Sequence, residues 1–397
     1  MPWEERKAVE LRKEFVREAL GEQEPLSEIC RRYAISRVTG YKWLQRFEES
    51  GDAGMEDRSC APHQSPQAMG KRETEKILEL RRRYPRWGPK KLRAYLVARD
   101  GQTVWPAQSS MSELLRREGL SQPRRKRART PAYQQPLAHA QAPNQVWCTD
   151  FKGWFHCGDG TRCDPLTITD AFSRYLLRVR LVAKTDGAHV RGVFEAVFRE
   201  CGMPEAIRSD NGSPFASKAP GGLSRLSMWW LHLGIQHERI EPGCPEQNGR
   251  HERMHRTLKE EVASPPCAHR RAQQQALARF EHSYNHERPH EALAQRTPAE
   301  LYVASAKVYP SRLPELVYPD DVEHYRVIGG KGDLKWRGVR TFLSEVLARQ
   351  TVGLREIEPD WFEVFYGPVL LGRFDSHAHQ FIAAGHSSRR RKKKHKE

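Results

Sequence analysis

The sequence predicts a multidomain protein: all-α helix-turn-helix units at the amino-terminal end, a mixed α/β core, and a small β-rich domain towards the carboxy-terminal end. Three observations carry that reading. The 397 residues exceed what one hydrophobic core organises. Apolar residues keep helical spacing up to about Leu120, then give way from Val146 to runs of β-branched and aromatic residues separated by turn signals. Beyond Leu301, strand-like runs alternate with Gly and Pro breaks, as in Leu334 to Phe342, Gln350 to Glu356 and Trp361 to Phe374, which suggests a β-barrel.

Charge narrows the class of partner. Against 50 Asp and Glu stand 67 Lys and Arg, a net charge of +17 that repels itself unless a polyanion neutralises it. Nucleic acid is the leading partner. A membrane surface competes, but no run approaches the roughly eighteen apolar residues of a spanning helix. No apolar segment follows the charged amino terminus as in a signal peptide, so a soluble, cytosolic protein is expected. The eight cysteines include no CxxC pair, which argues against zinc and disulfide frameworks. Cys157 and Cys163 flank a Gly-Asp-Gly turn but lack the paired spacing of a tetrahedral zinc site.

The first helix is expected from Glu4 to Leu20, where Val9, Leu11, Phe15, Val16 and Leu20 roughly follow helical spacing. Ser27 is expected to cap a helix through Tyr33, and Ser36 a second one carrying Tyr41, Trp43, Leu44 and Phe47. Arg37, Thr39, Lys42 and Arg46 on that second helix are candidate DNA contacts. The same spacing also fits a plain three-helix bundle with a solvated basic face. A second helical unit spans about Glu73 to Leu120, with Pro89 at a tolerated first-turn position and Arg116 and Arg117 on its last helix as further candidate contacts. Arg124, Arg125, Lys126 and Arg127 then form a basic linker able to track phosphates, and a second basic run ends the chain. The expected boundaries are 1–60 and 61–122 for the two helical domains, 123–143 for the linker, 144–300 for the core, 301–384 for the β-rich domain and 385–397 for a basic disordered tail.

In the core, Val146 to Phe151, Pro165 to Ala171 and Tyr175 to Val182 read as three successive antiparallel strands. A helix follows, with Val190, Val193, Phe194, Val197 and Phe198 in one stripe, then a short strand from Ala206 to Ser209. Asp150 lies in the first strand and Asp210 ends the fourth. If those strands are neighbours the two carboxylates face each other, which is costly unless a proton or a hard cation intervenes. Taken alone, Asp210 before Asn211-Gly212 also reads as a turn former. A third acid comes from Pro245-Glu246-Gln247-Asn248-Gly249-Arg250-His251-Glu252. Glu246 lies 36 positions after Asp210 (246 − 210) and Glu252 lies 42 (252 − 210). Counting favours Glu246. Local geometry favours Glu252, expected well inside a helix with Arg256 and Lys259 on its own face to hold phosphates. The surplus spacing is accounted for by the Gly-rich segment Lys218-Ala219-Pro220-Gly221-Gly222.

Ser209-Asp210-Asn211-Gly212, then Gln247-Asn248-Gly249 with Glu252-Arg253, then Tyr284-Asn285, Arg288-Pro289-His290 and Thr297-Pro298 follow in an order that resembles the integrase catalytic core. That core is shared by retroviral integrases and bacterial insertion-sequence transposases. The resemblance covers roughly residues 140 to 300. It implies a ribonuclease-H-like fold and an acidic triad of Asp150, Asp210 and Glu252. It further implies two Mg²⁺ or Mn²⁺ ions per site, cleavage and strand transfer on double-stranded DNA, a dimer or larger assembly, and a nucleoid-associated bacterial protein. Two alternatives stay open: a catalytically silent DNA-binding regulator derived from a transposase, and a nuclease of the same fold.

Overall fold

The computed structural model describes residues 8–58, 69–121, 137, 139–241 and 244–384. Arg124, Arg125, Lys126 and Arg127 and the tail from 385 lie outside the described residues. The chain divides into two compact units, Met1–Gly70 and Lys71–Glu397. In the first, α1 (Ala8–Leu20), α2 (Leu26–Arg32) and α3 (Arg37–Ser50) close one core of Phe15, Val16, Ile29, Cys30, Trp43 and Met55. Ser36 caps α3 as expected, its hydroxyl accepting from the Thr39 amide at 3.1 Å. The expected Ser27 cap does not form. Leu26 already begins α2 behind the extended Pro25, so Ser27 lies inside the first turn, where it cannot cap.

The second unit starts with α4 (Lys71–Arg83), α5 (Pro89–Arg99) and α6 (Gln108–Arg117). Ile77, Leu80, Leu92, Tyr95, Met111 and Leu114 are buried, and Trp87 stacks on Tyr84 with ring centres 3.9 Å apart.

The core follows as β1 (Val146–Phe151), β2 (Phe155–His156), β3 (Arg162–Asp170), β4 (Leu176–Val182), α7 (Gly187–Cys201), β5 (Ala206–Ser209), α8 (Arg225–His232), β6 (Gln236–Arg239), α9 (Gly249–Val262) and α10 (Arg270–His286). The strands run β4-β3-β1-β5-β6, with β2 a short extension along β3. β3 is antiparallel to β1 and β4, whereas β5 is parallel to both β1 and β6. This is the ribonuclease-H-like arrangement. The apolar stripe of α7 meets Trp147, Ile168 and Ile207 of the sheet together with Trp229 and Trp230 of α8. Met254 and Leu258 of α9, with Leu277, Phe280 and Tyr284 of α10, join Leu176, Val179 and Leu181 in a second layer.

β4 forms one edge of this sheet, and an edge exposes unpaired amides and carbonyls. Side chains of α10 supply the partners. Asn285 accepts from the Leu176 amide at 2.8 Å and donates to its carbonyl at 2.9 Å. Gln274 accepts from Leu181 and Glu281 from Val179, each at 2.8 Å.

The C-terminal strands are β7 (His324–Val327), β8 (Asp333–Trp336), β9 (Val339–Phe342), β10 (Thr351–Glu358), β11 (Trp361–Tyr366), β12 (Val369–Asp375) and β13 (Gln380–Ala383). Five form an antiparallel sheet ordered β13-β12-β11-β10-β7, and the β8–β9 hairpin packs Trp336 against Phe362 and Phe374. Thr341 of β9 also donates to the carbonyl of His379 at 3.2 Å, which ties the hairpin to the start of β13, so the domain is an antiparallel sheet with a packed hairpin rather than the closed barrel expected. Its core includes Leu223 and Met228, so it is seated on the α8 region. Among the described residues no helix is long and apolar enough to cross a membrane.

Two stability predictions follow from the α10–β4 seam. Asn285→Leu leaves the Leu176 amide and carbonyl without partners and should cost about 1–3 kcal/mol in urea unfolding. Burial pushes the Glu281 carboxyl up to about 7 from an ordinary 4.5. An acid raised in the folded state contributes its full stability below the unfolded value and loses it as pH rises towards the folded one. Glu281→Gln keeps the acceptor but cannot ionise, so it should be near neutral at pH 4.5 and stabilising by roughly 1–3 kcal/mol at pH 8. An equal effect at both pH values would contradict this account.

Candidate active site

The site begins with strand register. In the parallel pair β1–β5, Cys148 lies opposite Arg208. Two residues on, Asp150 and Asp210 therefore reach the same level of adjacent strands, and the period of two turns both towards one face. Asp210 sits just past the end of β5, where its carboxylate accepts from the Gly212 amide at 3.1 Å. A Cβ on Gly212 would stand 3.0 Å from that carboxylate, so the close approach favours glycine. Asn211 closes the turn by donating to the Ile240 carbonyl at 2.7 Å.

Glu252 arrives from α9, in the first turn rather than well inside the helix as expected. The helix starts only at Gly249, after a 3-10 turn over Pro245–Asn248, which is why the sequence distance overstates its depth. The Glu246 side chain lies outside the described residues.

Burial, then the negative charge of Asp210, push the Asp150 carboxyl up to about 7, with a smaller push from Glu252 and partial relief from the Phe151 amide and Lys152. The three acids thus feel one another. Lys152 belongs to the same locality: burial and repulsion by Lys259 lower its pKa, while Asp150 opposes that shift.

Beneath the acids, α9 is fastened to the sheet by histidines. The Thr167 hydroxyl donates to the Asp150 carbonyl at 3.0 Å. Its one proton is then committed, so it accepts from Nε2 of His251 at 2.6 Å and of His255 at 2.7 Å. His251 Nδ1 in turn accepts from Thr169 at 2.8 Å. Burial lowers both rings, His251 to about 3 and His255 to about 2, so both are neutral. His255 Nδ1 consequently presents a lone pair to an Asp150 carboxylate oxygen 3.9 Å away, and the contact is not an ion pair.

That donor set fits a divalent cation. Three carboxylates supply hard oxygens, and a raised carboxyl facing an imidazole lone pair is relieved by positive charge between them. Among the described residues, no group of three His, Cys, Asp or Glu stands close enough together to hold a metal ion as it is.

The predicted DNA-contact residues are dispersed. Arg37 and Lys42 are exposed on α3. The Thr39 hydroxyl is engaged 2.9 Å from that of Ser36, and the Arg46 guanidinium lies over the Trp43 ring at 4.9 Å. Arg116 pairs with Glu113 and Arg117 with Glu118. Arg256 and Lys259 are exposed on α9. Sequence reasoning missed Lys152, Thr167, His251 and His255. The two histidines at i and i+4, each three residues before a buried apolar position, Met254 and Leu258, were the available signal. Cys157 and Cys163 do come together, sulfur to sulfur 3.3 Å, across the β2–β3 turn as free buried thiols.

Comparison with known proteins agrees with this geometry. Residues 140–245 and 233–298 match the family described as Integrase core domain. Residues 11–63 match a Helix-turn-helix domain and 39–115 a Homeodomain-like domain, which makes DNA the partner class. Divalent metal use goes with the integrase-type core. A 31.7 kDa protein of insertion element IS407 from Burkholderia multivorans is 30% identical over 231 residues, 57% of this chain and 79% of that protein. A 39.2 kDa protein of insertion element IS476 from Xanthomonas euvesicatoria is 31% identical over 181 residues, 45% of this chain and half of that protein. The transposase for insertion sequence element IS904 of Lactococcus lactis is 28% identical over 166 residues, 41% of this chain and 62% of that protein. The chain belongs to the DDE transposases of insertion sequences, polynucleotidyl transferases built on an integrase core domain.

Proposed function

We propose that the helix-turn-helix units bind the ends of a mobile element, and that Asp150, Asp210 and Glu252 form the site that cuts those ends and joins them to target DNA. The observation that carries this reading is the β1–β5 register, which sets two carboxylates side by side within electrostatic reach of a third. The three acids would hold two Mg²⁺ or Mn²⁺ ions, which when bound activate a water or 3′ hydroxyl and stabilise the leaving oxygen of an in-line phosphodiester displacement.

The chain's own residues prepare that chemistry. Desolvation makes a bare charge on Asp150 unfavourable, so its carboxyl holds a proton or a cation at neutral pH. Thr167 and the neutral imidazoles fix the start of α9, and with it Glu252. Arg256 and Lys259 follow Glu252 by one and two helical turns on the same face, and with Lys152 they hold strand phosphates beside the acids. Arg37, Lys42, Arg116, Arg117 and the basic linker Arg124 to Arg127 add positioning contacts along the duplex. Pairing two DNA ends requires at least two protomers, so the working assembly is a dimer or larger on DNA, and the protein resides with the nucleoid.

A strand-transfer assay with linear end DNA, a supercoiled target and Mg²⁺ tests the reading. Products covalently joined to the target are expected. Nicks alone would make the protein a nuclease, and intact DNA binding with neither product would make it a silent regulator. Asp150→Asn, Asp210→Asn and Glu252→Gln should each lower strand transfer by roughly 1000-fold, about 4 kcal/mol of barrier, while duplex binding in chelator persists. Glu246→Gln should leave the rate within about threefold. The opposite pattern for the two glutamates would move the third acid to Glu246.

A further inference from the structure

The second helical unit is bolted to the core by ion pairs. Tyr84 donates to Glu287 at 2.6 Å, Arg83 pairs with the same carboxylate at 3.3 Å, and Lys90 pairs with Glu291. Nearby, Arg288 pairs with Glu261 and Arg250 donates to the Ala171 carbonyl at 2.9 Å. Those contacts account for four basic side chains around the seam. Three others, Lys91 of α5, Arg174 of the β3–β4 turn and Arg253 of α9, have no side-chain hydrogen bond or ion pair among the described residues.

Arg253, exposed on α9, is a charge that both of the others feel. Burial, then repulsion by Arg288 and Arg253, brings the Lys91 ammonium down to about 7, against partial attraction by Glu261 and Glu291. Arg250 and Arg253 likewise repel the half-buried Arg174 guanidinium. Like charges gathered in a partly desolvated recess oppose folding unless an anion joins them. Two helix starts aggravate the conflict. Lys90 and Lys91 lie in the first turn of α5, and Arg250 and Arg253 lie at the start of α9, where the dipole disfavours cations but favours an anion held by both.

We propose that this seam is a binding site for the phosphodiester backbone of duplex DNA, held by Lys91, Arg174 and Arg253 between the second helical unit and the core. The inference rests on the proposed DNA reaction for its biological setting, but its chemistry is independent of the acids. One strand is gripped where the unit that reads sequence meets the unit that cuts, so the seam sets the spacing between the recognised bases and the scissile bond. Contacts to backbone carry no base information, so the grip is the same on every sequence.

The test is fluorescence anisotropy of labelled duplexes with the full chain in chelator, across a salt series, using end DNA and a scrambled duplex of equal length. Lys91→Gln with Arg253→Gln should weaken both duplexes by the same factor, about tenfold at 0.1 M salt, and flatten the slope of log affinity on log salt by about two. Arg253→Gln alone, an exposed position that folding does not need, should flatten it by about one. Lys91→Arg with Arg253→Lys should restore both readings. An unchanged slope, or a loss confined to end DNA, overturns the proposal. Because no divalent ion is present, failure of strand transfer in the unaltered protein would overturn the proposed reaction and leave this result standing.

Discussion

The rest of the core depends on a repulsion. Parallel pairing of β1 with β5 brings Asp150 and Asp210 to one level, and partial burial denies them the water that would screen them. A fold optimised only for stability would place apolar residues there. Everything close by works to hold the unfavourable pair in place. Gly212 lets the Asp210 carboxylate lie against backbone, and Thr167 ties the Asp150 carbonyl and two imidazoles into one fully used hydroxyl. The strain is local, and the large aromatic layer of Trp147, Phe194, Phe198 and Trp230 on the far side of the sheet supplies the stability that offsets it.

The same electrostatic logic runs outward. The chain carries a net charge of +17, and several of its acids pair with cations on the sheet around the site. Arg208 pairs with Glu238 at 2.8 Å, fixing the otherwise polar β6 beside β5. Around that frame some cations are paired, as Arg288 is with Glu261, while among the described residues Lys91 and Arg174 have no side-chain hydrogen bond or ion pair. Cations of this kind are what a surface meeting a polyanion requires, since counterions released from the nucleic acid supply the free energy that the protein alone lacks.

Legibility in the sequence followed burial. Strands β1, β3, β4 and β5 were readable because their residues are β-branched and apolar, and α7 because its stripe repeats every three to four residues. Asp150 and Asp210 were readable because a polar residue inside or directly after such a strand is conspicuous. β6 was not, since Gln236-His237-Glu238-Arg239 carries no apolar residue and becomes a strand only through pairing with β5. Glu252 was placed too deep because nothing in Pro245 to Asn248 distinguishes a 3-10 turn from the helix that follows. Thr167 and the histidines look unremarkable one at a time, and their meaning lies in a meeting across more than 80 residues.

The Gly-rich segment 218–222 shows how a local composition can have a structural cause. It lies between the second and third acids in the sequence, and it forms a short 3-10 turn with Gly221 at φ 67°. A Cβ there would stand 3.0 Å from Val369 of β12, and at Gly222, φ 69°, it would collide with the Arg239 guanidinium. The segment is therefore a socket pressed between the last core strand and the C-terminal sheet. Leu223 and Met228 continue the contact into the hydrophobic core of that sheet, and His232 meets the Tyr366 hydroxyl at 3.0 Å. Glycine is favoured here by the positive φ at both residues, and at Gly221 also by the close approach of Val369 in the C-terminal sheet. The glycines of this segment thus follow from where the C-terminal domain sits.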